Sequence, residues 1–383
     1  MKRMMEIEPE TPFYLIDEVK LERNLKLLAS VRRRAGVKIL LAQKAFSCFD
    51  AYPLIARYLD GTTASGVFEA RLAHEEMPRR ENHVFNPAFT DGEMVEISKW
   101  CDHVVFNSIG QWRRFRDFPH LPSPGLRVNP GYSEIEHDIY NPCAEGSRLG
   151  VPRAFLSAED VSGLEGLHFH SMCEQGADVL VRTLVHFERL FGEFLPRLKW
   201  VNFGGGHHIT KPGYDIGLLV ETLRGFRRRH PQLEVYLEPG EAIALNAGSL
   251  VTTVRETFDY GVPIAILDAS AECHMPDVIE MPYRPPVVGA SGPNEKRFTY
   301  RLGGPTCLAG DVIGDYSFSH RLRPGSRVVF GDMAIYTMVK NNTFNGMPLP
   351  SIALKRKSGE TVLLKRFGYA DFKARLGSAR KRR

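Results

Sequence analysis

Short apolar segments alternate with longer amphipathic segments from about Val37 to Gly240, and this alternation restricts the fold more than any other feature. Short apolar, β-branched runs are typical of strands, and a 3.6-residue apolar period is typical of helices. Repeated β-α units build either a closed (β/α)8 TIM-like barrel or an open doubly wound sheet, and the strand count separates the two. We count eight strands, which favours the α/β barrel: Val37–Lys44, Thr62–Gly66, His83–Pro87, His103–Asn107, Gly125–Pro130, Gly166–Ser171, Lys199–Gly205 and Glu234–Gly240.

Helices are predicted between these strands, several of them starting with the Asp or Ser that caps a helix. They cover Asp50–Asp60, Asp91–Trp100, Ser108–Phe118, Ala177–Phe194 and Gly217–Arg229.

The pattern changes after Gly240, where strand-like runs are separated by turns rich in Gly, Pro and Asn. A second, mostly-β domain is therefore predicted, and the N-terminal run Thr11–Val19 is expected to join it. We place the barrel at residues 20–245, the β-domain at 1–19 plus 246–370, and a C-terminal segment with a basic tail at 371–383. The strands predicted after the barrel are Ser249–Phe258, Pro263–Ala269, Arg297–Leu302, Arg327–Phe330 and Ser351–Leu354.

Composition narrows the class of protein. The chain has 383 residues with a net charge of +5 and no apolar run long enough for a membrane span, and because its start, MKRMMEIEPE, lacks the apolar core of a signal peptide, we expect none. Its six cysteines form no CxxC pair, which favours reduced thiols in the cytoplasm. Much of the excess charge lies in Arg32–Arg34 and Arg380–Arg383 without interleaved aromatic residues, so we expect neither a nucleic-acid nor a membrane partner.

Polar residues end the predicted barrel strands, and active sites of (β/α)8 barrels lie at that end. They are Lys44, Ser65, Asn86, Asn107, Asn129, His170, Gly204–Gly206 and Glu238. A lysine in a semi-enclosed cavity has a lowered pKa and a nucleophilic amine, although Lys44 taken alone fits the solvent end of a strand better. Glycines let backbone N–H groups approach a phosphate, but a plain turn fits the glycine run as well.

Two further motifs lie near the predicted barrel mouth. Glu238 and Glu241 place two carboxylates there, which suits a cationic ligand or a proton-handling role but also an ordinary turn. His207–His208 has no carboxylate at ligand spacing in the sequence, so we predict a solvent-facing histidine pair and no metal.

Six motifs in this order resemble the fold type III, alanine-racemase-like pyridoxal-phosphate decarboxylases. Within that family the chain resembles the branch acting on carboxynorspermidine and carboxyspermidine, and the resemblance runs nearly end to end. The motifs are Lys44, His168–His170, Gly204–Gly206, Glu238–Gly240, Gly304–Cys307 and Gly331–Tyr336.

The resemblance implies a role for each matching position. Lys44 would hold pyridoxal 5'-phosphate as a Schiff base, His170 would stack on its ring, and Glu238 would face the pyridine nitrogen. The backbone of Gly204, Gly205 and Gly206 and the hydroxyl of Tyr336 would bind the phosphate. Cys307 would act from the partner subunit, which implies a homodimer with shared active sites. Because a carboxylate keeps the pyridine nitrogen protonated, decarboxylation is favoured over racemisation.

Departures from the family pattern indicate the substrate. Glu241 stands where the ornithine and diaminopimelate enzymes carry Arg, and Leu308 replaces the acid that follows the cysteine in ornithine decarboxylase. A polycationic amino acid, carboxynorspermidine or carboxyspermidine, is therefore predicted, with Glu241 and Asp277 neutralising its amines.

Phe344 is a further pocket residue by resemblance, and Asp311 is either a substrate ligand or a turn cap. A decarboxylase or racemase of diaminopimelate, ornithine or lysine remains an alternative, as does a non-catalytic binder.

Overall fold

The computed structural model describes residues 9–377, so the basic tail lies outside the described residues. The chain forms two compact units. The barrel unit is Glu22–Ile243, and the sheet unit combines the residues up to Leu21 with those from Ala244 onward.

The described chain begins in the sheet unit with strand β1 (Phe13–Asp17) and then builds the barrel. Eight parallel strands pair in a closed ring, because the first of them, β2, pairs with both β3 and β10. The predicted barrel is confirmed, and the open doubly wound sheet is wrong. A two-residue strand, β7, pairs outside the ring with β6. The strands are β2 (Lys38–Ala42), β3 (Gly61–Ala64), β4 (Glu81–Asn86), β5 (His103–Phe106), β6 (Ser123–Asn129), β7 (Val151–Pro152), β8 (Gly166–His168), β9 (Trp200–Asn202) and β10 (Glu234–Leu237).

The helices of the described chain differ from the prediction in two ways. The helix predicted for Asp50–Asp60 is a 3₁₀ turn, Phe49–Ala51, and a single α-turn, Tyr52–Ile55. Two helices before Asp91 were not predicted, Glu18–Ala35 and Val67–Glu76, and neither were the five described α-helices that follow Arg229. The other helices are Asp91–Trp100, Ile109–Phe115, Ala177–Phe191, Ile216–Arg229, Glu241–Ala244, Ala271–His274, Asp277–Glu280, Thr337–Lys340 and Tyr369–Leu376, with 3₁₀ turns at Asp138–Tyr140, Arg153–Phe155, Leu195–Arg197 and Phe344–Gly346.

Trp200 fills the barrel interior. Its ring packs with Leu40, Val105 and Tyr236, each nearly inaccessible to solvent. A Cβ atom at Gly125 or Gly166 would lie 2.2 or 2.1 Å from the indole, so strands β6 and β8 need glycine at these positions to admit the ring. The interior is therefore a packed core, as in other barrels of this type, and leaves the strand ends for function.

The sheet unit is built from both ends of the chain, as predicted. Strand β1 lies inside the sheet between β11, with which it is antiparallel, and β16, with which it is parallel. Two strands, β14 and β17, were not predicted, and the terminal helix crosses residue 370, where the sequence suggested a boundary. The remaining strands are β11 (Gly248–Asp259), β12 (Pro263–Leu267), β13 (Phe298–Gly303), β14 (Val312–Phe318), β15 (Arg327–Gly331), β16 (Ser351–Lys355) and β17 (Thr361–Lys365).

The helices within residues 9–377 include none with the length and apolar character that crossing a bilayer requires.

Candidate active site

The predicted catalytic residues of the barrel unit follow the carboxyl ends of four strands, β2, β8, β9 and β10. Parallel strands of a closed barrel all end on one face, so these residues share that face. They are Lys44, His170, Gly204–Gly206, Glu238 and Glu241.

Glu238 is a buried carboxylate held by two partners. Its Oε1 accepts a hydrogen bond from Nδ2 of Asn202 at 2.7 Å, and its Oε2 lies 3.2 Å from Nε2 of His168. Burial alone would raise the pKa of Glu238, but His168, with further help from His83 and Asn202, lowers that pKa to about 2. Burial also lowers the pKa of His168, so we assign a neutral imidazole that donates its Nε2–H to Glu238. Glu238 is therefore an anion at neutral pH.

His170 is held as a neutral imidazole by the glycine turn. Its Nδ1 accepts a hydrogen bond from the backbone N–H of Gly205 at 2.8 Å, which places the remaining proton on Nε2. Burial lowers the pKa of His170 well below its usual value, and the cations of Lys44 and Arg127 lower it further. A neutral, oriented ring suits stacking on an aromatic cofactor.

The glycine turn needs glycine because of its close approach to neighbouring backbone. Gly204 and Gly206 have φ angles of +67° and +83°, in the left-handed region that other residues rarely adopt. A Cβ atom on Gly206 would lie 2.0 Å from the carbonyl oxygen of Met172. The turn therefore offers bare backbone of the kind that accommodates a phosphate.

Lys44 is solvent-accessible, yet protein atoms surround its ammonium closely enough to reduce its hydration. This desolvation lowers the pKa of Lys44, and the neighbouring guanidinium of Arg127 lowers it further. A larger fraction of the amine is then unprotonated and nucleophilic.

Arg127 was not predicted as a site residue. Its side chain is buried, and its Nη2 donates to the carbonyl oxygen of His170 at 3.0 Å. Burial lowers its pKa to about 10, and the guanidinium lies 4.7 Å from the ring centroid of Phe85. A charged residue between Leu126 and Val128 in an apolar strand was the available signal, and Asn202, inside another strand, was missed in the same way.

The prediction that His207 and His208 face solvent is wrong. Both are buried, with 2% and 6% of their surface exposed. Although no carboxylate stands at ligand spacing in the sequence, one lies nearby in space, since Nε2 of His208 is 3.3 Å from Oε1 of Glu241. Although burial opposes it, the carboxylates of Glu241 and Glu174 raise the pKa of His208. Spacing in the sequence does not reveal this contact, because His208 follows strand β9 and Glu241 follows strand β10.

Cys307, a predicted catalytic residue of the sheet unit, is exposed. Its backbone N–H donates to Oδ1 of Asn345 at 2.7 Å, next to the predicted Phe344, whose ring is 45% exposed. Tyr336, the predicted phosphate ligand, has a φ angle of +55° and precedes helix Thr337–Lys340.

Asp311 is buried beneath the Cys307 loop. Its carboxylate accepts hydrogen bonds from the N–H of Ala271 at 2.7 Å and from the N–H and hydroxyl of Thr306 at 3.2 and 2.7 Å. These bonds are those of the turn cap that the sequence left open as an alternative.

Asp277 already has a cationic neighbour within the chain. The ammonium of Lys340 donates hydrogen bonds to Asp277 and to Glu280. Lys340 was not singled out in the sequence, because it lies 63 residues from Asp277.

The chemistry of these groups fits pyridoxal phosphate. The barrel unit combines a lysine amine with a lowered pKa, a neutral oriented imidazole, an ionised carboxylate and a glycine turn. These are the groups needed to bind a carbonyl, an aromatic ring, a pyridine nitrogen and a phosphate.

Comparison with known proteins establishes the class. The family model described as "Pyridoxal-dependent decarboxylase, C-terminal sheet domain" matches residues 13–334. The chain belongs to the pyridoxal-dependent decarboxylases, and pyridoxal phosphate is its cofactor.

Two curated relatives narrow the position within the family. The chain is 43% identical to the carboxynorspermidine/carboxyspermidine decarboxylase of Campylobacter jejuni, over 96% of this chain and 98% of that protein. It is also 43% identical to the carboxyaminopropylagmatine decarboxylase of Synechocystis, over 96% of this chain and 95% of that protein.

Solved structures agree with these relatives. The carboxynorspermidine decarboxylase of Campylobacter jejuni in complex with norspermidine has a TM-score of 0.90 and 42% identity, covering 96% of this chain and 100% of that one. The diaminopimelate decarboxylase of Helicobacter pylori shares the fold, with a TM-score of 0.81, 18% identity and coverage of 96% and 97%.

Proposed function

We propose that this enzyme decarboxylates carboxynorspermidine or carboxyspermidine, releasing CO2 and norspermidine or spermidine for polyamine biosynthesis. The observation that carries the proposal is Glu241, an anion-forming side chain in contact with His208 at the barrel mouth, where the enzymes for smaller diamino acids carry a cation. The close relatives from Campylobacter jejuni, named for these substrates, support it.

Each site residue has a task in this reaction. Lys44 would hold the cofactor through its amine, His170 would pack against the ring, and Gly204 to Gly206 with Tyr336 would bind the phosphate. When bound, pyridoxal phosphate supplies an electron sink for the pair released as the α-carboxylate leaves. Glu238 would hold a proton on the pyridine nitrogen, which strengthens that sink and favours decarboxylation over racemisation.

The remaining predicted residues belong to substrate binding and to the subunit arrangement. We assign Glu241 and Asp277 to the amines of the substrate, Phe344 to its methylene chain and Asp311 to the shape of the Cys307 loop. Cys307 would act from the partner subunit of a homodimer. We also propose a cytoplasmic location for the enzyme.

A second candidate substrate is carboxyaminopropylagmatine, which ends in a guanidinium group. The chain is 43% identical to the Synechocystis enzyme and 43% identical to the Campylobacter jejuni enzyme. Sequence identity therefore supports this substrate as strongly as it supports the carboxylated triamines. Relatives named for diaminopimelate, or for lysine and ornithine, are only 23–27% identical and support those substrates less.

The test is a parallel incubation of the holoenzyme with each substrate. Carboxynorspermidine, carboxyspermidine, carboxyaminopropylagmatine, ornithine, lysine and diaminopimelate are supplied separately, and CO2 and amine product are measured. Turnover of a carboxylated triamine supports the proposal. Turnover of the guanidine compound alone selects the second candidate, turnover of a simple diamino acid alone refutes both, and no turnover despite bound cofactor points to the non-catalytic alternative.

A further inference from the structure

Two loops at the carboxyl ends of barrel strands are joined by backbone hydrogen bonds. Gln175, after strand β8, donates its N–H to the carbonyl of Gly206 at 2.9 Å, and its own carbonyl accepts from the N–H of His208 at 3.2 Å. The two bonds form a short parallel bridge between Gln175 and His207. Glu174 is therefore held next to His208 by main-chain contacts.

Because of this bridge, Glu174 lies close to His208 and Glu241. We call the three side chains of Glu174, His208 and Glu241 the acceptor triad. One ligand atom from each lies within 4.8 Å of the other two. Glu174 is exposed at the surface, and Glu241 opens helix Glu241–Ala244 at the end of the eighth barrel strand.

His208 indicates that the triad binds a ligand. Its residue surface is only 6% exposed, and neither ring nitrogen makes a hydrogen bond of good geometry, although Nε2 lies 3.3 Å from Glu241. A buried imidazole without a hydrogen bond is costly, so native proteins rarely leave one unless another group satisfies it. Glu241 and Glu174 raise the pKa of His208 when no cation lies between them, whereas a cation bound to both carboxylates favours the neutral ring, which has a lone pair to offer.

The spacing admits a primary ammonium. Three atoms no more than 4.8 Å apart all lie within about 2.8 Å of a common centre, the length of a charge-assisted hydrogen bond. A primary ammonium has three N–H donors on one nitrogen and can fill all three positions. A secondary ammonium has only two, and a guanidinium spreads its donors over a plane.

We propose that the acceptor triad binds the terminal primary ammonium of the substrate, with Glu174 and His208 acting as specificity residues beside Glu241. This inference rests on the proposed function, since it takes a carboxylated triamine as the substrate. Asp277 would then bind the secondary amine of the substrate. The triad also makes carboxynorspermidine a better substrate than carboxyaminopropylagmatine.

The test compares two substrates that differ only at the terminal group. Carboxynorspermidine is compared with 2-amino-4-(propylamino)butanoate, which carries hydrogen in place of the terminal amine, in the wild-type holoenzyme and in Glu174→Gln and His208→Gln. The ratio of the two kcat/KM values reports the terminal ammonium alone, because effects on folding or on cofactor loading cancel. Glu96→Gln, on the outer helix Asp91–Trp100, is the matched control.

We expect the wild type and the control to prefer carboxynorspermidine, and each triad variant to reduce that preference by about tenfold, the effect of one charge-assisted hydrogen bond. An unchanged ratio in Glu174→Gln, which alters an exposed side chain and leaves the core intact, overturns the inference. So does a wild-type preference for carboxyaminopropylagmatine, or a stoichiometric divalent metal found by elemental analysis in the wild type and lost in Glu174→Gln. Failure of the wild type to use carboxynorspermidine refutes the proposed function instead.

Discussion

The ammonium of Lys340 is hydrogen-bonded to the carboxylate of Asp277, the acid proposed to bind a substrate amine. Glu280 accepts from the same ammonium, so one cation of the chain pairs with two acids. A substrate ammonium that binds Asp277 would therefore compete with Lys340 for the same carboxylate.

Removing this competitor should strengthen substrate binding. Lys340→Gln is expected to lower KM for carboxynorspermidine by about fivefold, because a partly exposed ion pair of this kind is worth about 1 kcal/mol. Steady-state kinetics measure the change, and Lys365→Gln, which removes an ion pair with Asp371 in the same unit, is the control. A KM that stays constant or rises would show that Asp277 does not bind substrate.

Lys44 should be essential for both cofactor attachment and turnover. Lys44→Ala is expected to lose the absorbance of lysine-bound cofactor and to reduce kcat by about a thousandfold or more, because no other amine takes its place. Ultraviolet–visible spectra and CO2 release measure the two effects. Lys99→Ala, on an exposed helix, should change neither, and full turnover by Lys44→Ala would refute the assigned role.

We expect kcat to depend on the negative charge of Glu238 more than on the size of its side chain. Glu238→Gln keeps the size of the side chain but cannot hold a proton on the pyridine nitrogen, so kcat should fall by about a hundredfold with the cofactor still bound. Glu234→Gln changes the same residue type at the other end of strand β10 and serves as the control. Equal loss in both variants would indicate a general effect on the barrel.

We expect His274, which lies in the sheet unit, to make the free energy of unfolding depend on pH. The residue is fully buried, Nδ1 accepts from the N–H of Ser270 at 3.1 Å, and Nε2 lies 3.1 Å from the carbonyl of Pro348. Burial lowers its pKa from 6.5 to about 4, so between these values the unfolded chain binds a proton that the folded chain does not. Stability therefore falls as the pH drops from 6.5 toward 4, by up to about 1.4 kcal/mol per pH unit from this one group.

Denaturant unfolding at a series of pH values tests this expectation. His274→Gln cannot titrate and should flatten the dependence in that window. His320→Gln, which replaces an exposed ring, should leave the wild-type slope unchanged. An unaltered slope in His274→Gln would assign the acid sensitivity to other groups.

The sequence predicts the barrel, and the grouping of its polar strand ends on one face, because both follow local rules. Lys44, His170 and Glu238 end apolar strands, and closure of the barrel collects such ends on one face. The sequence analysis missed contacts between residues that lie far apart in the sequence. Glu174 reaches His208 only through a backbone bridge between two loops, and Lys340 meets Asp277 across 63 residues.

Strand β1 affects how the protein is made. Its two sheet partners, β11 and β16, begin at Gly248 and Ser351, so β1 leaves the ribosome more than 200 residues before either neighbour. The barrel unit, in contrast, is continuous from Glu22 to Ile243 and can complete its strand pairing while translation continues. We therefore expect the barrel unit to complete its strand pairing before the sheet unit does, and the unpaired apolar strand β1 to be a site that a chaperone could bind on the nascent chain.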